Sequence, residues 1–259
     1  MANTVFDYKL IAAEATDLLA TKINARSLMT LDSSLAEVAG MTKTINTYTY
    51  DGAAEKLSVG EGSSHRGSIT YTGKDYVVNR LQQAFDYYDE DAMKDNNIVP
   101  FMVEGATQIM ANQLTEDFYT AIDGTTTTLA ATGALSYDTI VDGIAKLNLE
   151  NESKCFILLN NEQKADLRKD PDYKSAQMGE VIYNGQVGTV CGIPVICSKV
   201  VPENTVYVAT PEAVRCFMKK DVITESDRNP DTNKNSIYLK TYYIVALVDA
   251  TKACKISLS

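Results

Sequence analysis

His65 is the single histidine of the chain, and that alone removes most chemistry from consideration. A metal centre built on several imidazoles is excluded, and a Ser-His-Asp or Cys-His relay would depend on one residue in a loop rich in glycine and serine. A histidine so placed reads as exposed or structural. The run "GEGSSH" opens as a dinucleotide-binding fingerprint would, with Gly60 and Gly62, yet His65 stands where the third glycine should fall and no strand-to-helix change surrounds it. "TGKD", Thr72 to Asp75, offers Gly73 and Lys74 but lacks the earlier glycine and the hydroxyl residue that a phosphate loop needs.

The five cysteines, Cys155, Cys191, Cys197, Cys216 and Cys254, are odd in number and sit mostly in apolar runs such as "CFILL" and "VRCFM". They read as small buried hydrophobes in a reducing compartment. "CGIPVIC" spaces its thiols too widely for a zinc knuckle, so no metal site is expected. "DYYDEDAMKDN" is rich in carboxylates and fits a solvated helix face. "SDRNPDTNKN" has the look of a calcium loop but no terminal glutamate to bind the ion through two oxygens. Neither a catalytic residue nor a cofactor is assigned.

A chain of 259 residues with 45% apolar content is long enough for one large domain or two intimately joined ones. No apolar run approaches the ~18 residues of a membrane span. Asp7, Glu14 and Asp17 occupy the N-terminal stretch where a signal peptide would be basic and then apolar, so synthesis is expected in the cytoplasm, with no membrane partner. The formal charge of −10, with no cluster of lysine or arginine, disfavours a protein that grips a phosphate backbone or reads a base sequence. It does not disfavour a wall around nucleic acid, which holds its contents by closure.

Residues 1–41 carry helical stretches around Leu10, Ile11, Leu18 and Leu19. "LDSSLAEVAG" reads as a short helix with Ser33 or Ser34 as N-cap, Glu37 in its first turn and Gly40 at its end. This segment is too thinly apolar for a core of its own and is expected to act as an arm packed on something else. From Thr42 the period becomes two. "TKTINTYTY" places Thr42, Thr44, Asn46, Tyr48 and Tyr50 on one side, and "RGSITYTGKDYVV" repeats the pattern after "SVGEGSSHRG". The two runs predict an extended hairpin with a loose tip, which projects because neither face is apolar enough for half a core.

"NRLQQAFDYYDEDAMK" is predicted as a short acidic helix. The stretch that follows has apolar residues at Met102, Ala106, Ile109, Met110, Leu114, Phe118, Ala121 and Ile122, the spacing of one helical stripe. Pro100 suits its first turn and Gly124 its end. "TTTTLAATG" reads as a linker, Ser136 as the cap of a helix "YDTIVDGIAKLNLE", "CFILLN" as a buried strand, and "NEQKADLRKD" as a charged helix. A loop is expected from Pro171 to Tyr183, then strand, turn and strand in "QVGTVCGIPVICS". "TVYVAT" is a strand before a short helix opened by Pro211, and a long ribbon turning at "NPDTNK" closes the chain. This order lacks a βαβ rhythm, so the fold class is α+β.

The stretches "GTVCGIPVICSKVVPENTVYVATPEAVRCF" and "DVITESDRNPDTNKNSIYLKTYYIVALVDATKACKIS" resemble the C-terminal half of tailed-bacteriophage major capsid proteins, the Hong Kong 97-like capsid fold. The resemblance is clearest from Tyr137 onward and continues through the order of elements before it. It implies an N-terminal arm at 1–41, an extended β-hairpin loop at 42–76, a spine-helix peripheral domain at 77–136 and 213–259, and an α+β axial domain at 137–212. It implies hexamers and pentamers of this chain in an icosahedral shell around double-stranded DNA, without sequence-specific binding. It also implies a portal and a scaffolding protein, and a chain that opens at Met1 directly in the arm favours separate scaffolding. The location implied is the virion capsid, reached from the host cytoplasm during assembly.

Within that frame Lys56, His65, Arg66 and Lys74 of the hairpin are expected to contact a neighbouring subunit, against acidic surface such as "DYYDEDAMKD". Two other readings stand beside it. One is an encapsulin-like shell around enzyme cargo; the other is a soluble α+β enzyme or ligand-binding protein.

Overall fold

Helix α3 (Ile98–Asp123) is the longest element of the computed structural model, which describes residues 8–22, 25–36, 38–95, 97–149, 152, 154–171 and 188–259. Its 26 residues make a rod about 39 Å long. Val99, Val103, Ala106, Met110, Leu114, Phe118 and Ile122 are buried along it, steps of three and four that keep one side inward. The stripe is broader than its apolar residues suggested, because Thr107 and Thr115 are buried too. Their hydroxyls donate to Val103 O at 2.6 Å and Ala111 O at 2.8 Å, one turn back, which satisfies them inside the core. Ile109, assigned to the inner stripe from spacing, is 55% exposed. At the C-terminus the Gly124 amide closes on Ala121 O and Ile122 O.

Two sheets flank this helix. One has four strands in the order β1 (Thr30–Asp32), β10 (Val214–Asn229), β11 (Lys234–Leu247), β4 (Asn79–Tyr88). Its Tyr87, Cys216, Ile237, Leu239 and Tyr243 join Met110, Leu114 and Phe118 of α3 in one core. The other has six strands in the order β5 (Thr127–Ala131), β12 (Ala253–Leu258), β9 (Thr205–Ala209), β6 (Phe156–Leu159), β8 (Ile193–Cys197), β7 (Thr189–Val190). Strand β6 is buried at every position, as a strand covered on both faces must be.

Helix α4 (Tyr137–Leu147) begins where Ser136 Oγ accepts the Thr139 amide, as expected. Its buried Ile140, Ile144 and Leu147 join Ile157, Val208 and Ile256 of the six-stranded sheet. Gly143 permits that close approach, since a Cβ there would stand 2.5 Å from Ile256 Cδ1. Helix α5 (Asn161–Lys169) follows β6 directly.

Several local expectations are corrected. Residues 79–88 form strand β4, not helix; the pairing runs from Asn79↔Tyr243 to Tyr88↔Lys234, and only Asp89–Lys94 remains helical as α2. Helix-forming Leu, Gln and Ala were overridden by a long antiparallel partner. "LDSSLAEVAG" is strand β1 followed by turns, with Ser34 N on Asp32 Oδ1 at 2.7 Å and Ala36 N on Ser33 O at 2.9 Å; Glu37 lies outside the described residues. The threonine run is strand β5, parallel to β12. Pro211 opens a turn, closed by Ala213 N on Thr210 O at 3.0 Å, and the chain then enters β10.

The N-terminal segment finds its partner in its own chain. Ile11, Ala15 and Leu19 of α1 (Tyr8–Lys22) are buried in the α3 core. The loop expected after Pro171 lies outside the described residues. Of the cysteines, Cys155, Cys216 and Cys254 are buried, but Cys197 is half-buried and Cys191 exposed. Cys191 and Gly192 take φ of 53° and 78°, the two left-handed positions of the tight turn between β7 and β8.

Candidate assembly surface

Strands β2 (Thr42–Asp51) and β3 (Ser68–Val77) pair in perfect alternation from Thr42↔Val77 to Asp51↔Ser68, in a sheet of their own. The hairpin is fixed only at its root. Val78 is buried there with Phe217, Ile244 and Ala246, while Ile45 and Tyr76 pack beside them. Val78 N donates to Met41 O at 2.8 Å and Tyr76 Oη to Leu247 O at 3.2 Å. Lys43 Nζ stands 5.3 Å over the Phe217 ring.

Beyond the root both faces are open. The pairing sets Tyr48 opposite Tyr71 and Tyr50 opposite Ile69, so these four side chains share one face, and all are at least 66% exposed. The rings of Tyr48 and Tyr71 lie 6.4 Å apart. Lys74 pairs with Ile45 on the opposite face, its Nζ 5.2 Å over the Tyr76 ring.

Lys56, His65 and Arg66 are all exposed in the tip between β2 and β3, whereas Lys74 lies within β3, about 20 Å from the start of that strand at Ser68. At the tip Glu55 draws its loop closed, accepting Ser64 N at 2.9 Å, Ser64 Oγ at 2.6 Å and the His65 ring. These hydrogen bonds, from Ser64 first and His65 second, hold the Glu55 carboxyl at about 2. Ser64 Oγ and Glu55 both meet His65 at Nδ1. A nucleophile relay needs them on opposite ring nitrogens, so this trio is a clasp for a turn.

The acidic segment named as a partner surface is partly occupied by its own chain. Asp89 accepts Arg228 Nη2 at 2.8 Å and Asn235 Nδ2 at 2.5 Å, and Glu90 accepts Asn233 Nδ2 at 3.2 Å. The surface that the charges did not reveal is aromatic. Its signal was present in the sequence, as tyrosines alternating in "TYTY" and again in "ITY", where alternation places them on one face. Another exposed apolar side chain is on α3, where Phe101 is 76% exposed. Among the described residues no group of three potential metal ligands converges, and no helix is long and apolar enough to cross a membrane.

A two-layer body closed around one long helix, bearing an extension anchored only at its root, has the form of a building block for a larger shell. This chain belongs to the phage capsid protein family, whose pattern matches residues 71–256. It is 24% identical over 247 residues to the major capsid protein of Staphylococcus phage phiMR11, covering 92% of this chain and 88% of that one. Among solved structures it is similar to the capsid of a native GTA particle, with a TM-score of 0.74 at 12% identity over 92% of this chain and 90% of that one. It is also similar to a virus-like particle from Pyrococcus furiosus, with a TM-score of 0.65 at 10% identity over 98% and 100%. The fold is Hong Kong 97-like and the role structural: many copies assemble into a phage capsid, and the virion shell is where the protein resides.

Proposed function

We propose that this chain is the major capsid protein of a tailed phage, forming hexamers and pentamers in an icosahedral shell around double-stranded DNA. The observation that carries this reading is the hairpin, ordered in register over ten residue pairs yet without a covering layer. A two-stranded sheet is marginal alone in water, and an assembly supplies the missing layer from a neighbour. The net charge of −10 suits a wall that confines DNA without adhering to it.

In this reading residues 1–41 are the N-terminal arm and 42–76 the extended loop. Residues 77–136 and 213–259 form the peripheral domain, and 137–212 the axial domain, with β5 and β12 crossing over to complete the axial sheet. Lys56, His65, Arg66 and Lys74 contact the neighbouring subunit. A separate scaffolding protein and a portal take part, assembly proceeds in the host cytoplasm, and the chain is not an enzyme.

The test replaces Lys56–Arg66 by a short Gly/Ser turn. The body core lies elsewhere, so the variant stays folded and soluble but closes no shells. Normal particles from this variant would remove the hairpin from assembly, and an unfolded subunit would place it in the body's own core. The likeness to the Pyrococcus particle supports a second shell reading, an encapsulin-like compartment. Contents of purified particles separate the two: genome for a phage, protein cargo for a compartment.

A further inference from the structure

We infer that Glu55 is a positioning residue, which closes the tip of the hairpin into a fixed loop in the free subunit, so that assembly meets a preformed shape there. This rests on the reading of the hairpin as an assembly element, and it names what prepares the end of that element.

The loop runs from Gly52 to Gly67, beyond the last pair of the two strands, Asp51↔Ser68. Its neck is narrow. The Tyr50 ring lies over both glycines: a Cβ on Gly52 would stand 2.7 Å from the ring, and one on Gly67 would collide with the hydroxyl. A surface loop with its ends drawn together has the form of an Ω-loop, and such loops are packed by their own side chains. This one is not, because its apolar Leu57 and Val59 are both exposed. No apolar core holds the tip shut.

Polar contacts hold it instead. Among residues 51–70 Glu55 alone is half-buried. Both of its carboxylate oxygens are engaged: Oε2 accepts Ser64 N at 2.9 Å, and Oε1 accepts Ser64 Oγ at 2.6 Å together with His65 Nδ1. The donors lie nine and ten residues further along the chain, so these bonds tie one arm of the loop to the other. A smaller turn closes inside them. Glu61 N donates to Ser58 O at 3.1 Å and Ser58 N to Glu61 Oε2 at 3.0 Å. Gly60 between them has φ of 92°, where a type II turn requires a positive value.

Hydrogen bonds to an ionised acceptor are about twice as strong as those between neutral groups. Ordering a loose segment at an interface lowers affinity. With the clasp made, that ordering is complete in the free subunit; without it, each association step must fix the tip anew.

Trypsin reads the closure, because Lys56 follows Glu55 and Arg66 follows His65, and cleavage tracks the population of the open form. In the full-length, unassembled subunit Glu55→Gln is expected to melt with wild type but to be cut at Lys56 and Arg66 at least about tenfold faster. In the assemblies that the wild-type chain forms, it associates at least about tenfold more weakly. Ser64→Ala has a smaller effect alone and adds none to Glu55→Gln, since both act through one contact. Asp51→Asn makes the same change of charge at the edge of the loop and behaves as wild type. Wild-type cleavage of Glu55→Gln, a lower melting temperature, additive effects of the two substitutions, or an equal loss of assembly in Asp51→Asn overturns the assignment. If the tip replacement blocks shells while Glu55→Gln assembles normally, the hairpin reading stands and the clasp falls. If both assemble normally, both fall.

Discussion

Tyr243 of β11 donates its hydroxyl to Asp117 Oδ2 of α3 at 2.6 Å, across 126 residues of sequence. Nearly two turns further along the helix, Asp123 accepts Tyr207 Oη of β9 at 2.5 Å and pairs with Lys255 of β12 at 2.7 Å. The end of α3 is therefore bolted to the four-stranded sheet by one tyrosine and to the six-stranded sheet by the other. Both tyrosines are 1% exposed, so their hydroxyls depend on these carboxylates.

Removing either bolt should cost stability. Tyr243→Phe is expected to lower unfolding free energy by about 1.5–3 kcal/mol, the worth of a hydrogen bond to a charged acceptor. Tyr207→Phe should cost less, because Asp123 keeps Lys255. Urea unfolding of the isolated subunits measures both.

The same bolts set a pH window. Burial, followed by the bond to aspartate, raises both phenols above their usual range. Above about pH 10 an unfolded tyrosine ionises while the folded one holds its proton, so unfolding is favoured and stability falls as pH rises. Asp123 is shifted the other way, lowered by Lys255 and then Tyr207. Its contribution is present above about pH 4 and is lost as pH falls further. Melting temperature against pH should therefore drop at both ends, and the Tyr207→Phe, Tyr243→Phe double variant should flatten the alkaline limb.

The two sides of α3 should respond differently to truncation. Leu114 is fully buried, and Leu114→Ala is expected to cost about 2–5 kcal/mol. Ile109→Ala on the outward stripe should stay within about 0.5 kcal/mol in the isolated subunit. Equal losses would show that the helix is packed on both sides within one chain.

All five thiols are expected to be free in denaturant without reductant. In the folded, unassembled subunit Cys191 should label first, since it is exposed in its turn. Cys216 should label last; burial pushes its thiol up to about 12, where little reactive thiolate forms. Timed alkylation with peptide mapping gives the order.

Elements with local signals were legible in the sequence. The cap at Ser136, the helix end at Gly124 and the alternation of β2 and β3 each depend on neighbours a few residues away. Strand β4 was not, because its identity comes from β11, more than 140 residues distant, and its Leu, Gln and Ala favour helix when read alone. The threonine strand β5 and the turn at Pro211 were hidden for the same reason. The assembly surface was half legible: charge drew attention to Lys56, His65, Arg66 and Lys74. The aromatic face emerged only when strand register put Tyr71 and Ile69 beside Tyr48 and Tyr50, and spacing alone could not show that Ile109 faces outward.

Electron microscopy of the purified chain, alone and co-expressed with a candidate scaffolding protein, decides whether this chain builds a shell. Closed icosahedral particles are expected, whose subunits keep this body and extend the hairpin over a neighbour, with pentamers, hexamers or aberrant shells when scaffolding is absent. A chain that remains a compact monomer or a small fixed oligomer under every condition of salt, crowding and scaffolding would contradict it.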